Sequence, residues 1–294
     1  MLKKFLFSIF IAFSFLLSGQ DINTFYFEMN EGRKLAVVGK IDSAITAYEE
    51  GFKKLEYVQT IYLQKVLQLA KLNNDLERIE KYSNKIAKQS RGTNPYLIEI
   101  VDSLSKEDQK IRKHKFYRKA KYAAKWDRKQ KGVNNSKRYK KSKKLLNYIE
   151  KTDSSNIHHL LSLFDEYGFL GEELVGKKGY LNVRMLLLHF DDDTNNLILE
   201  PYLNKAWEEG KILPTHYAEI QDRHLRGVYY IQKYWMWRCI EKEKLQFVET
   251  DIPKIIKLRE SIGIYDLSLR QEEYKGLYRL ISKDRWKLVN YYYK

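Results

Sequence analysis

Cysteine is nearly absent: the 294-residue chain has one, Cys239. A single cysteine excludes an intrachain disulfide framework and a cysteine-based metal site. It does not stand at the end of the N-terminal apolar run, so a lipid-anchored N-terminus is not expected. Proline is scarce, with four in the chain, and there is no Gly/Ser/Pro-rich or low-complexity tract. Any domain boundary must therefore lie at a change of pattern rather than in a linker. The chain also lacks a Gly-x-Ser-x-Gly nucleophile turn and a phosphate-cradling glycine loop. No cofactor or metal is expected from such a sequence.

What is present begins with a leader. Met1-Leu2-Lys3-Lys4 is a short basic start, Phe5 to Leu17 is almost wholly apolar, and Ser18-Gly19 supplies small residues. This is the layout of a secretory signal peptide spanning residues 1–19. The apolar run falls short of the ~20 residues that a membrane-crossing helix needs. An uncleaved anchor is the alternative. Export without disulfides suits a bacterial envelope, so the expected location is periplasmic or extracellular, with no transmembrane helix after leader removal.

Charge is the second feature. The chain carries +16 in all, and the stretch from Lys106 to Lys144 alone carries +15, so the basicity is local. From Lys106 to Lys131 the composition suits one long helix. Gly132-Val133-Asn134-Asn135 then breaks it before a second basic run. Phe116, Tyr117, Tyr122, Trp126 and Tyr139 interleave aromatic rings, a mixture that in the cytosol suggests stacking on nucleic acid. Export removes that partner and favours another envelope protein or an anionic envelope surface. Lys137, Arg138, Lys140, Lys141, Lys143 and Lys144 form the candidate polyanion patch. The plainer alternative is a solvated helix face.

Residues 20–95 read as helices with breaks at Gly39–Asp42, Tyr57-Val58 and Asn73–Asp75. Gly32, Gly39, Ala44, Tyr48 and Gly51 have the spacing of one tetratricopeptide repeat, and Tyr82 follows Tyr48 by 34 residues, the repeat period. The region resembles tetratricopeptide repeats imperfectly, with Glu28 where Trp is preferred and Glu56 where Pro is preferred. So short an array offers little concave surface, which favours a helical spacer over a peptide-binding groove. Two copies need support from the next domain.

From about residue 100 a series of motifs runs in order. Asp108-Gln109-x-x-Arg112 is followed by Asp153 and Asn156, Gly168-Phe169, Val175-Gly176 and Leu188-His189-x-Asp191. Asp222-Arg223, Gln232-x-Tyr234 and Arg259-x-x-x-Gly263-Ile264 complete it. Over residues 100–266 this series resembles an uncharacterised bacterial family, the domain of unknown function numbered 6624. That family's pattern reads Asp-Gln-x-x-Arg, Gly-Trp-Pro, Val-Gly, Gln-His-x-Asp, Asp-Arg, Gln-x-Tyr-Gly-Thr-Gln and Arg-x-x-x-Gly-Leu. The chain departs from it at Phe169-Leu170, at Leu188 and at Trp235-Met236-Trp237. A glycine at that last position would allow close approach of a ligand, and tryptophan fills the space. The resemblance implies candidate positions and no mechanism.

His189, Asp222 and Arg223 are the candidate catalytic residues, with His189 and Asp222 as an acid/base pair. Asp191, Gln232 and Tyr234 are candidate ligand contacts. A buried ion pair and a satisfied core histidine explain the same residues structurally. The adjacent His158 and His159 point to different helix faces and make a poor metal site. Residues from Gly227 to Ile240, rich in Val, Tyr, Ile and Trp, predict the first strand of a β-hairpin over about 226–249. Asp222-Arg223-His224 is then expected to end the preceding helix, and Asp251-Ile252-Pro253 to open a helix running to Glu260. The expected fold is mainly α: a helical-repeat-like N-terminal unit, then a helical domain over 100–294 with one β-hairpin. The expected role is a non-enzymatic binding or scaffold protein of the envelope, with a hydrolase-like enzyme as the alternative.

Overall fold

The computed structural model describes residues 21–115, 117, 137–190, 198–229, 231–232, 246–247 and 257–264. Among these residues the protein is helical nearly throughout. The first helices start where short polar side chains can satisfy free amides. Asp21 accepts from Thr24 N at 2.9 Å and opens α1 (Ile22–Val37). After α2 (Ile41–Phe52) and α3 (Thr60–Leu72), Asp75 accepts from Arg78 N at 3.0 Å and opens α4 (Leu76–Gln89). Asn94 opens α5 (Pro95–Arg112) in the same way, at 3.1 Å from Leu97 N, with Pro95 in the first turn.

The small residues of the first helix pair stand where the helices touch. A Cβ added to Gly32 would come within 2.8 Å of the Tyr48 ring, and one on Gly51 within 2.5 Å of Met29 Cε. Tyr82 reaches back from α4 to α2, its hydroxyl donating to Glu49 Oε1 at 2.7 Å.

The second half begins with α6 (Lys137–Tyr167) and α7 (Glu172–His189). It continues through α8 (Glu200–Glu208) and α9 (Pro214–Tyr229). Helix α7 kinks at Gly176, whose φ is +70. The kink lets its backbone meet the α4–α5 loop: Thr93 N and Asn94 N donate to Leu174 O at 3.1 and 3.0 Å, and Lys177 N donates to Ser90 O at 3.3 Å. One hydrophobic core runs from Ile22, Phe25 and Met29 through Leu97, Leu160 and Leu187 to Ile262 and Ile264. It crosses the boundary expected near residues 95–100 without interruption. Residues 259–264 end a helical turn over α1, where Trp207 Nε1 donates to Ile262 O at 3.2 Å and Gly263 lies against the Tyr26 ring. Among the described residues no helix is long and apolar enough to cross a membrane.

Three sequence expectations are corrected. The hairpin over 226–249 is not seen among the described residues. Instead β1 (Ile231–Gln232) pairs in parallel with β2 (Gln246–Phe247). A tight two-residue turn joins antiparallel strands, and this pair is parallel. Helix α9 also continues through Asp222 and Arg223 to Tyr229, taking in Gly227 and Val228. Finally, the single basic helix over 106–131 is interrupted: α5 ends at Arg112, and His114 N donates to Ile111 O at 3.1 Å in a tight turn.

Candidate functional site

The C-terminal half of α5 supplies the centre of the site. Asp108 and Arg112, one turn apart, lie on the same helix face. Asp108 is fully buried, and its Oδ1 is 2.5 Å from Arg112 Nη1. Arg112 Nη2 then donates to both oxygens of Asp153 on α6, at 3.0 and 2.8 Å. Two carboxylates and one guanidinium thus tie α5 to α6. A planar fork fixes both in direction as well as charge. Burial pushes the Asp153 carboxyl up, against the downward pull of Arg112. Asn156 is buried one turn further along α6, with Nδ2 unpartnered.

The last residue of α7 completes the site. His189 Nδ1 is 2.9 Å from Asp108 Oδ1 and 3.1 Å from Oδ2. A carboxylate only accepts, so Nδ1 carries the hydrogen and Nε2 of the neutral ring presents a lone pair. The His189 side chain remains 28% exposed while Asp108 is sealed. Gln109 Nε2 donates to Asp108 Oδ2 at 2.8 Å and lies 3.0 Å from Met185 Sδ, one turn before His189. Asp108 therefore faces three donors at once. Such an arrangement holds an imidazole in one tautomer and one orientation, as a general base requires.

The residues expected in the site are distributed unevenly. His189 is central, but the carboxylate at its Nδ1 belongs to Asp108 rather than to Asp222. Asp222 is fully buried within α9. Arg223 lies at the edge, its Nε donating to Leu188 O at 3.5 Å. Gln232 falls in β1. Asp191 and Tyr234 lie outside the described residues. Lys137 and Arg138 begin α6, and Lys140, Lys141, Lys143 and Lys144 are exposed along its first turns.

A second polar cluster escaped the sequence reading. Leu213 N donates to Tyr180 Oη at 3.0 Å, and the same hydroxyl shares a hydrogen bond with His216 Nδ1 at 2.7 Å. His216 is buried, and burial holds its imidazole well below the usual histidine range, with Arg184 adding to the effect. Arg184 pairs with Glu219 beside it. A lone histidine in an amphipathic helix carries no spacing signal, and only the fold brings Tyr180 to it. Among the described residues no group of three or more His, Cys, Asp or Glu is arranged to hold a metal ion.

Compared with family models, curated proteins and solved structures, the chain matches none.

Proposed function

We propose that this is an exported bacterial protein whose C-terminal helical unit carries a hydrolase-like acid–base site centred on His189. The observation that carries the reading is the Asp108–His189 pair, at 2.9 Å with the imidazole partly exposed. Support also comes from where the motif residues lie. Asp108, Gln109 and Arg112 belong to one member of the ordered series that resembles the family numbered 6624 and His189 to another, and the two converge on one place. In this reading His189 Nε2 takes a proton from water as it attacks an electrophilic centre. Asp108 orients the ring, and Arg112, locked between two carboxylates, positions Asp108. Arg223 flanks the end of α7.

The test is hydrolysis of a chromogenic panel of p-nitrophenyl carboxylic esters, phosphates and glycosides by the purified protein. Turnover of one class, reduced ~10²–10⁴-fold in a folded His189→Ala variant, is the expected result. A panel that the wild type leaves intact, or one that His189→Ala turns over at the wild-type rate, would remove the reading. Export is tested separately by expressing the chain from Met1 in a bacterium and sequencing the N-terminus of the product. A mature start at Gln20 is expected, and an intact leader would argue against it.

A second reading rests on the exposure of Lys140, Lys141, Lys143 and Lys144 over two turns of α6. It is non-enzymatic binding of an anionic envelope surface, or of a partner protein there. Salt-sensitive retention on phosphatidylglycerol vesicles, lost when the four lysines become glutamine, supports this reading. Equal retention by the variant rejects it.

A further inference from the structure

Helix α5 has two unlike faces where it carries the His189 site. Val101, Ser105, Asp108 and Ile111 are buried on the inner face. Lys106, Lys110 and the capping Lys113, spaced by four and three residues, form an exposed stripe on the outer one. Helix α6 brings a second stripe, with Lys140, Lys144 and Lys151 exposed along one side at helical spacing. The helices are fastened together at this level. Arg112 reaches Asp153 beneath the surface, and Ile111 and Ile149 pack beside that pair. At the surface Tyr148 Oη donates to Glu107 Oε1 at 3.4 Å. The seam between the helices therefore meets solvent at Glu107 and Tyr148, with lysines of α5 on one side and lysines of α6 on the other.

Little acid offsets this charge. Residues 103–115 and 140–152 hold nine exposed lysines and only two unburied carboxylates, Glu107 and Glu150. Glu107 is already engaged by Tyr148 and, at 3.7 Å, by Lys110. No exposed arginine joins the lysines in these residues, since Arg112 is turned inward onto two carboxylates. That composition bears on the partner. The guanidinium fork reads single phosphates and base edges, whereas lysine is a hydrated point charge suited to diffuse attraction by many phosphates. Two helices side by side also match an extended surface better than a single strand. Tyr148 stands 52% exposed between them, and a tyrosine ring is favoured at the headgroup level of a membrane.

We propose that α5 and α6 present one cationic face that docks the protein on an anionic phospholipid bilayer, through Lys106, Lys110 and Lys113 together with Lys140, Lys144 and Lys151. Docking of this kind rests on the lysine-surface reading of α6 and deepens it, adding α5 and naming lipid as the partner. The outer side of α5 then meets the headgroups while Asp108, on its inner side, keeps its bond to His189.

The test is flotation of the whole mature protein with phosphatidylcholine vesicles, prepared with and without phosphatidylglycerol. Binding is expected only where phosphatidylglycerol is present, and it should weaken as salt is added. The triple variant Lys106→Gln/Lys110→Gln/Lys113→Gln keeps the α6 lysines and changes only exposed side chains, so it should fold with an unchanged far-UV spectrum. Its binding should be about a hundredfold weaker, at roughly fivefold for each lysine lost. The charge-matched control Lys53→Gln/Lys54→Gln/Lys71→Gln, on exposed positions of the N-terminal helices, should bind like the wild type. If only the α6 lysine variant loses binding, the α6 reading stands and the two-helix face is refuted. Absence of binding by the wild type refutes both. Equal binding to pure phosphatidylcholine, an equal loss in the control, or tighter retention on double-stranded DNA than on vesicles also refutes the two-helix face.

Discussion

His189 Nδ1 and Asp108 Oδ1 lie 2.9 Å apart across 81 residues of sequence, closing the end of α7 onto the buried face of α5. The pair makes its own prediction, independent of any substrate. Long-range proton–nitrogen correlation at pH 8 should show His189 as the Nδ1–H tautomer. Asp108→Asn should mix the tautomers, because an amide can turn either its oxygen or its nitrogen to the ring. Its stability should fall by about 1–3 kcal/mol as Arg112 loses a charged partner. An Nε2–H tautomer in the wild type would contradict the geometry.

Arg112 bridges two buried carboxylates, Asp108 and Asp153. Removing it as Arg112→Met should cost roughly 3–5 kcal/mol, the usual penalty for stranding buried charge. Asp153 is already pushed up by burial, and without Arg112 it would rise further. A carboxyl raised in the folded state loses stability as pH climbs past its unfolded pKa. The urea midpoint of the variant should therefore fall more at pH 8 than at pH 5. The triple change Asp108→Asn/Arg112→Met/Asp153→Asn should recover much of the loss. A midpoint unchanged by Arg112→Met would show that the network contributes no net stability.

Much of this architecture was legible because its signals are local. Helix breaks at Gly39 and Asn73–Asp75 and small residues at Gly32 and Gly51 all act within a turn or a helix pair. The partner of His189 was not legible, since nothing in the sequence ranks Asp108 above Asp222 for a contact made through the fold. The chain from Lys106 to Lys131 is free of Gly and Pro and carries no stop signal, yet α5 ends at Arg112. Gly227 and Val228 show the reverse failure: strand-favouring composition is a weak preference, and here α9 runs through it. The Val175-Gly176 motif was visible as spacing alone. Its reason is the contact with the α4–α5 loop.

That contact predicts which glycines can be replaced. Gly176 needs φ +70, and a Cβ there would lie 2.6 Å from Ser90 O, an atom of the backbone that cannot swing aside. Gly92, at φ +73, faces Gly176 N in the same way. Alanine at either position combines left-handed strain with overpacking and should cost at least about 2 kcal/mol. Gly39 also has positive φ, at +78, but nothing lies within 4 Å of its added Cβ. Gly39→Ala should cost only the backbone term, about 1–2 kcal/mol. Urea titration of the three variants orders them, and a Gly39→Ala loss equal to that of Gly176→Ala would refute the docking argument.

The pH dependence of stability should hide two opposed contributions. Burial pushes the Glu173 carboxyl up from 4.5 to about 7, so the folded state holds a proton that the unfolded chain releases. Stability from this group is present below pH 4.5 and is lost as pH rises to about 7, by roughly 3 kcal/mol in all. His216 works in the other direction. Held neutral by burial, it keeps the folded state from taking up a proton that the unfolded chain gains below the usual histidine value of 6.5. Its effect is a loss of stability as pH falls, at up to about 1.4 kcal/mol per pH unit. Between pH 4.5 and 6.5 the two slopes have opposite signs. Glu173→Gln removes one of them, so the variant should match the wild type near pH 4.5 and exceed it increasingly up to pH 7. It should also show the His216 slope unmasked. Urea midpoints from pH 4.5 to 8 check both points, and a difference between the two proteins that does not change with pH would mean that Glu173 titrates as an ordinary surface carboxyl.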